Sequence, residues 1–468
     1  MSTGNTGESG RSRRDLLKTA GAAGLVGLAG CASTDDGGDG GGDGGDGGDG
    51  GGDGGDGGSQ YPSIGNFPVE GDTVTFGFNV PTSGPYSAEG EDELRGYNLA
   101  MDHLNNGGGW VDLWDDLSSG GVLGKTVESV EGDTGTAPEQ ATQSARQMIN
   151  RDNAIMITGG SSSAVAIAVQ ELCQDQKVQF QCCLTHSNDT TGTSCVRYST
   201  RELFNAYMTG AALAPILQEQ YGEGLNFYQL YADYTWGQTV QESMNQFLTD
   251  TGWNQVESVP TPLDTSDYTS FLSDVPRDEV DVLVLAHYGL DAANSLPQAV
   301  DQGLDQDMEI VVPLYNRLMA QASGGAIEGV FGTVDWNWQY DNESSNAFVD
   351  AYTSRHDRNP SYAARLAYNA TMQYAAAVER AGTFYPPEVI RELEGYTYDN
   401  AGLGVEEELR ACDHQAMRPV QVVQGLPESE HANDRYFELI NQTPRSDVEY
   451  ACDAGPAAEC QLGEYGDE

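Results

Sequence analysis

The sequence predicts an α/β fold with largely parallel sheets, because apolar β-branched runs alternate with helix-length segments after Pro68. The first strand is expected at residues 73–80. The helix after it repeats Leu94, Tyr97, Met101 and Leu104 at helical spacing. Further strands are expected at 226–231, 280–286, 309–312 and 329–334, with helices at 238–249 and 292–302. This body of about 400 residues is long for one core, which favours two lobes.

The chain is organised around residues 154–198, which read as one strand-helix-strand unit with hydroxyls at both strand exits. Ser161, Ser162 and Ser163 follow the first strand, and Thr185 and Ser187 follow the second. In open parallel sheets, ligands bind beyond the carboxyl ends of the strands, where helix N-termini offer free N–H groups. The pattern predicts a polar ligand cradle, although single serines there also serve as ordinary helix caps.

Residues 1–31 are typical of an export signal. Arg13 and Arg14 form a twin-arginine pattern, and Cys31 ends a Leu-Ala-Gly-Cys box that predicts lipid modification. The apolar segment is shorter than the roughly 20 residues that span a bilayer. Residues 32–60 are nearly all Gly and Asp and predict a disordered tether. We therefore expect an exported protein, lipid-anchored at the outer face of the cell membrane.

The formal charge of −50 comes from 72 acidic and 22 basic side chains. Such a surface repels nucleic acid, so no nucleic-acid partner is expected. In concentrated salt the Debye length falls to about 3 Å and self-repulsion is screened. A folded domain with this net charge therefore indicates that the protein comes from a halophilic organism.

Several segments carry a family resemblance. They are SGPYSAEGEDELRGYNLAMDHLNNGGG, GGVLGKTVE, GGSSSAVAIAV, YADYTWGQ, LAHYGLDAANSLPQAVDQGL, NPSYAARLAYNA and DHQAMRPVQVV. Together they resemble the type I periplasmic solute-binding proteins of ABC importers, in the branched-chain amino acid and amide/urea group that includes Leu/Ile/Val-binding proteins. The resemblance covers Gly71 to Gly425. Because of the export signal at residues 1–31, the whole chain resembles a haloarchaeal-type lipoprotein.

The resemblance implies a two-lobe type I periplasmic-binding-protein fold with three interlobe crossovers. Lobe 1 would comprise residues 68–198 plus 333–395, and lobe 2 residues 199–332 plus 396–468. The implied partners are a small-molecule ligand, either a branched-chain amino acid or urea or a short amide, and ABC permease subunits. No cofactor or metal is expected, and a lipid-anchored ligand sensor is an alternative role.

The resemblance also implies ligand-binding positions in the cleft. They are Tyr86, Glu89, Ser162, Ser163, Thr185, Ser187, Tyr234, Trp236, Tyr288 and Asn316. Amino-acid-binding members place an acid where this chain has Leu314, and an unpaired buried ammonium costs several kcal/mol. Glu202, Asp233 or Asp335 could replace that acid, whereas an uncharged amide or urea would need no replacement.

Seven cysteines besides Cys31 fit an extracytoplasmic location. Cys452 and Cys460 enclose a short loop and are candidates for one disulfide. Cys195 is a candidate to pair with Cys182 or Cys183, although spacing does not determine connectivity.

An enzyme is the alternative from another class, because the chain holds two Asp-Thr-Gly triplets, at Asp133 and Asp250. Aspartic proteases bring two such triplets together after strands of all-β lobes. Here the first triplet opens a helix and the second follows one, so an aspartic-type hydrolase is disfavoured. Phosphate-loop, H-E-x-x-H and G-x-S-x-G patterns are also absent from the sequence, and we expect no enzymatic activity.

Overall fold

A computed structural model describes residues 60–467. The predicted export signal, the lipidation site Cys31 and all but the last residue of the predicted tether lie outside the described residues. Within residues 60–467, no helix combines the length and the apolar character needed to cross a membrane.

The strands in the described part of the chain are β1 (Thr73–Val80), β2 (Thr126–Asp133), β3 (Met156–Gly159), β4 (Gln179–Cys182), β5 (Ser199–Arg201), β6 (Asn226–Ala232), β7 (Asn254–Thr261), β8 (Val282–Ala286), β9 (Glu309–Leu314), β10 (Phe331–Val334), β11 (Tyr396–Tyr398), β12 (Glu407–Leu409), β13 (Ala416–Met417), β14 (Val420–Gly425) and β15 (Phe437–Thr443).

The α-helices in the same range are α1 (Ser87–Asn106), α2 (Pro138–Asn150), α3 (Ser163–Gln176), α4 (Ala206–Tyr221), α5 (Thr235–Asp250), α6 (Thr269–Ser273), α7 (Leu290–Asp301), α8 (Arg317–Ser323), α9 (Glu343–His356), α10 (Tyr362–Ala381), α11 (Pro386–Leu393) and α12 (Arg445–Val448).

The first lobe is built on a five-stranded parallel sheet of order β2-β1-β3-β4-β5. Side chains alternate across a strand, so Met156 and Ile157 of β3 enter two different apolar clusters. Ile157 packs with α2 and α3, whereas Met156 belongs to the cluster that holds α1 and α10. Helices therefore cover both faces of this sheet.

The helix predicted after the first strand is confirmed as α1. Tyr97, Met101 and Leu104 are buried, whereas Leu94 is partly exposed. The helix ends at Asn106, and Gly107 follows with φ 87°, a left-handed value that glycine adopts without steric cost.

The second lobe is built on a seven-stranded sheet of order β15-β14-β10-β9-β8-β6-β7. Strands β6 to β10 pair in parallel, and β14 and β15 extend the sheet in antiparallel fashion. Helices α4 and α5 pack together against this sheet, and α7 packs against α8. The two lobes confirm the predicted two-lobe α/β class with mainly parallel sheets.

The predicted lobe boundaries need small corrections, because strand pairing decides which lobe a residue joins. Residues 199–201 form β5 and pair with β4, so the first sheet extends beyond residue 198. Residues 331–334 form β10 between β9 and β14, so the second sheet extends beyond residue 332. Strands β11 to β13 make a separate three-stranded sheet and do not join the large one.

The predicted disulfide pairs are wrong. Cys195 pairs with Cys460 and Cys412 pairs with Cys452, with Cα–Cα distances of 5.5 and 6.0 Å. Cys182 and Cys183 are buried free thiols. The prediction failed because sequence spacing favoured neighbours, whereas the fold brings the C-terminal segment back against residues 188–195 and 410–413.

A buried ion cluster lies where the chain passes between the lobes. Asp335, which follows β10, accepts a hydrogen bond from Arg365 of α10 at 3.1 Å and forms an ion pair with Arg418, 2.8 Å away. Glu407 of β12 lies 3.5 Å from Arg365 and also pairs with Arg418. All four side chains are fully buried.

The third inter-lobe connection also reaches this cluster through Glu202, which follows β5. The Arg418 guanidinium donates to the Glu202 carbonyl at 2.8 Å. The Glu202 carboxylate accepts from Asn369 Nδ2 at 2.7 Å and from the Tyr398 hydroxyl at 3.2 Å. The cluster therefore ties all three crossovers to α10, and we call it the hinge cluster.

Replacing Arg418 with Met should lower the free energy of unfolding by about 3–5 kcal/mol, because it leaves buried carboxylates without one of their two arginines. The measurement is urea denaturation at fixed high salt. Arg355→Met is the matched control, since its ion pair with Asp102, 2.7 Å long, is 43% and 44% exposed. That control should cost less than about 1 kcal/mol. Equal losses in both variants would contradict a structural role for the hinge cluster.

Candidate functional site

The cleft between the lobes is bordered on the first lobe by the start of α1. Glu89 lies in the first turn of this helix and is buried. Its Oε1 accepts from Nδ2 of Asn316, 3.0 Å away, which follows β9 of the second lobe and caps α8. This hydrogen bond crosses the cleft and joins two predicted site residues.

Tyr86 makes a second contact across the cleft. Its hydroxyl lies 2.6 Å from the hydroxyl of Tyr234, which precedes α5 of the second lobe. The N–H of Leu290 donates to the Pro85 carbonyl at 3.1 Å, so the loop before α1 also touches the start of α7. The lobes are therefore closed on each other at this edge.

Aromatic rings from both lobes surround Tyr288, which follows β8. Its ring centroid lies 5.5 Å from that of Tyr86 and 6.1 Å from that of Trp236, both in edge-to-face geometry. The Tyr288 hydroxyl accepts from Asn316 Nδ2 at 2.8 Å and lies 3.0 Å from the hydroxyl of Tyr362, the first residue of α10. The predicted aromatic residues are thus brought together.

The predicted hydroxyl cradle lies at the carboxyl ends of β3 and β4. The Thr185 hydroxyl donates to Ser163 Oγ at 2.8 Å, and the Ser187 N–H donates to the same oxygen at 3.2 Å. Ser162 occupies the N-cap position of α3, but its buried hydroxyl has no hydrogen-bond partner. The four predicted hydroxyl residues therefore share one buried corner of the cleft.

Ser187 also connects this cradle to the second lobe. Its hydroxyl lies 2.9 Å from Thr235 Oγ1 and accepts from Thr239 at 3.2 Å, both on α5. On the same helix, Trp236 Nε1 donates to His186 Nδ1 at 3.0 Å. Burial lowers the pKa of His186, so its ring is neutral and Nε2 carries the proton toward Thr209.

Two buried carboxyls on one face of α1 have strongly shifted pKa values. Burial raises the pKa of Glu89 to about 7, against the opposing effect of the Asn316 hydrogen bond. Burial raises the pKa of Glu93 to about 8, although its Oε2 accepts from the Ser161 hydroxyl. A hydrogen bond with the buried Cys183 thiol also opposes the effect of burial on the pKa of Glu93. Each carboxyl therefore exchanges a proton near neutral pH.

The three predicted ammonium partners lie elsewhere. Glu202 and Asp335 belong to the hinge cluster, where Asn369 and two arginines occupy their carboxylates. Asp233 is exposed and accepts from Gln238 at 3.2 Å. The sequence could not separate these acids from Glu89, because burial and pairing depend on residues far along the chain.

The two Asp-Thr-Gly triplets occupy unrelated positions. Asp133 ends β2 in the first sheet, and its carboxylate accepts from the N–H groups of Thr82 and Ser83. Burial acts to raise the pKa of Asp133, but the hydrogen bonds from the Ser83 hydroxyl and from backbone N–H groups outweigh it and lower the pKa. Asp250 ends α5 beside the second sheet. One carboxylate thus supports a loop and the other ends a helix, which is not the paired geometry of an aspartic protease.

Three residues of this region were missed by sequence reasoning. Glu93 follows Glu89 by one helical turn, a spacing that places both on one face of α1. Tyr362 lies in the NPSYAARLAYNA segment that carried the resemblance, and His186 stands between the two predicted hydroxyls Thr185 and Ser187. The sequence signal that could have identified each of these three residues was its position next to a residue or segment already predicted to bind the ligand.

A two-lobe α/β protein with polar and aromatic groups converging between its lobes has the architecture of a solute-binding protein. Residues 73–430 match the periplasmic binding protein family, and the chain belongs to it. Members of this family are solute-binding proteins of ABC transporters and function outside the cytoplasm.

The chain is 21% identical to the leucine-, isoleucine-, valine-, threonine- and alanine-binding protein of Pseudomonas aeruginosa, over 73% of this chain and 88% of that protein. A periplasmic binding protein from Burkholderia mallei shares the fold with a TM-score of 0.75 and 21% identity, covering 84% of this chain and 100% of the other. A leucine-binding protein from Thermotoga maritima has a TM-score of 0.67 and 20% identity, over 80% and 99%.

The contribution of Glu93 to the free energy of unfolding should fall as the pH rises from 5 to 8. Burial raises the pKa of Glu93 from 4.5 to about 8, so the unfolded chain loses this proton at lower pH than the folded chain does. The stabilisation is complete below about pH 4.5 and is lost toward pH 8, by an amount on the order of a few kcal/mol.

Glu93→Gln should reduce the slope of stability against pH, measured by urea denaturation at fixed salt, whereas Glu89, whose pKa burial also raises, should keep part of it. Glu171→Gln, an exposed change on α3, is the control and should leave the slope as it is. A wild-type slope that persists in Glu93→Gln would contradict the assignment of this titration to the buried carboxyl.

Proposed function

We propose that this protein is the lipid-anchored substrate-binding component of an ABC import system and that it captures a branched-chain or hydrophobic amino acid between its lobes. The observation that carries the proposal is the convergence of both lobes on one site, where Glu89, Tyr86 and Ser187 each hydrogen-bond across the cleft. A ligand that touches both lobes stabilises the closed arrangement, and closure is the signal that a permease can recognise.

The amino acid assignment is supported by the site and by the relatives. The start of α3 offers Ser162 and Ser163, and N-terminal N–H groups of a helix favour a carboxylate. Tyr86, Trp236 and Tyr288 offer apolar walls. The Pseudomonas relative is named for binding leucine, isoleucine, valine, threonine and alanine.

Urea or a short amide is the second candidate ligand. Leu314 is buried where the amino-acid-binding pattern places an acid, and an uncharged ligand needs no such acid. The proposed membrane anchor is Cys31, which the twin-arginine signal precedes in the sequence. A surface with a net charge of −50 suits the outer face of a cell in concentrated salt.

Calorimetric titration in high salt tests this function. We expect micromolar or tighter binding of leucine, isoleucine or valine, whereas binding of urea, acetamide or formamide alone would establish the second candidate. Ser163→Ala should weaken binding roughly tenfold or more, because it removes the oxygen that holds Thr185 and Ser187 in place. Ser273→Ala, at an exposed site on α6, is the control. A folded protein that binds none of these solutes would contradict the proposal.

A further inference from the structure

The last described segment of the chain passes from one lobe to the other. Residues 444–467, which we call the strap, follow β15 of the second lobe and lie beyond residues 73–430, which match the family. We propose that the strap is a fourth crossover, fastened by two disulfides, and that it limits how far the cleft opens. It thereby holds the solute-free protein close to the closed arrangement.

The first part of the strap is attached to the second lobe. Helix α12 packs against α4. The Tyr450 hydroxyl accepts from Nδ2 of Asn205, 2.6 Å away, and Asn205 is the N-cap residue of α4. The ring of Tyr450 also lies edge-to-face against Tyr207 of α4, with 5.1 Å between the ring centroids. The strap therefore begins as a part of the second lobe.

The next part of the strap contacts the first lobe. The short turn Gly455–Glu459 packs against the short turn Asn188–Thr191, which follows Ser187 of the hydroxyl cradle. A β-carbon at residue 192 would lie 2.7 Å from the Pro456 carbonyl oxygen, so Gly192 permits this close approach. The strap thus touches the loop that carries part of the cradle.

A disulfide and an aromatic side chain secure the strap to the first lobe. Cys460 is bonded to Cys195, which lies in the loop between β4 and β5. Further along, the ring of Tyr465 has the guanidinium groups of Arg197 and Arg391 4.5 and 4.3 Å from its centroid, and aromatic faces attract such cations. Arg391 belongs to α11, which packs against α10 of the first lobe. This part of the strap is therefore held by the first lobe.

The strap joins two surfaces that opening must separate. Asn188 of the first lobe accepts from the Tyr207 N–H of α4 at 2.9 Å and donates to Ser243 Oγ of α5 at 3.0 Å. These hydrogen bonds cross between the lobes, and the strap contacts both Tyr207 and the turn that begins at Asn188. When the hydrogen bonds break, that turn moves away from α4 and α5 only as far as the strap allows.

The strap has little slack. Tyr450 and Pro456, which contact different lobes, are only six residues apart in the sequence. Between them, Cys452 is bonded to Cys412, which lies between β12 and β13. A short segment fixed at both ends and in its middle lengthens little, because an extended chain spans at most about 3.6 Å per residue. Limited opening keeps more molecules competent to bind, and the apparent affinity for a solute rises with that fraction.

The test is the distance between the lobes of the full-length chain without solute. Nitroxide labels attached through maleimides at Thr82→Cys and Ser266→Cys, both exposed positions, are measured by electron–electron double resonance in high salt. The comparison variant also carries Cys195→Ser and Cys460→Ser, which release the strap from the first lobe. We expect the distance distribution of this variant to broaden and to shift to longer distances, since its lobes open further.

Two further measurements separate opening from a loss of stability. Ile149→Ala, at a buried site in the apolar cluster of α2 and α3, should lower the free energy of unfolding and leave the distance distribution unchanged. Reduction of the labelled chain that keeps all its native cysteines breaks both disulfides without a substitution in the strap. With the broken bonds verified by mass spectrometry, it should give the same shift as the Cys195→Ser and Cys460→Ser variant.

Two results would overturn the inference. The first is an unchanged distribution after the bond between Cys195 and Cys460 is lost. The second is an equal shift in Ile149→Ala, because the distance would then follow stability and not the strap. Solute binding does not enter this measurement. A protein whose distribution shifts as expected, but which binds none of the solutes named above, would contradict the proposed function and leave the strap inference standing.

Discussion

The hinge cluster is the constraint on which the rest of the structure depends. Two arginines and three acids are buried where the three crossovers meet α10, and each crossover contributes at least one of them. Ion pairs buried in this way add little net stability but strongly penalise any arrangement that separates the partners. The cluster therefore fixes the three crossovers relative to each other and to α10.

The ligand cleft follows from that geometry. Parallel strands in both lobes end at the cleft, so β3, β4, β8 and β9 deliver hydroxyl, aromatic and amide side chains to it. The contacts that cross the cleft are hydrogen bonds and ring edges, such as the pair between Glu89 and Asn316. Contacts of this kind can form and break without exposing a large apolar surface, which suits a receptor that opens and closes.

Much of the fold could be predicted because it is encoded locally. Apolar runs gave the strands, and the helical spacing of Tyr97, Met101 and Leu104 gave α1. The hydroxyl cradle was also predictable, since its members follow strands directly. The hinge cluster and the disulfides were not, because they join distant residues: Glu202 meets Asn369 across 167 positions, and Cys195 meets Cys460 across 265. Glu93 was missed because burial, not residue type, distinguishes it from many other acids.

The central claim is that the lobes close on a small ligand. Spin labels can be placed at Thr82→Cys and Ser266→Cys, both exposed positions. Thr82 lies in the loop that holds Pro85, and the Ser266 carbonyl accepts from Gln298 of α7, the helix that begins at Leu290. Electron–electron double resonance between the two labels, with and without the solute that calorimetry identifies, measures closure directly. We predict that the solute shortens and narrows the distance distribution. An unchanged distribution at saturating solute would contradict closure as the response to binding.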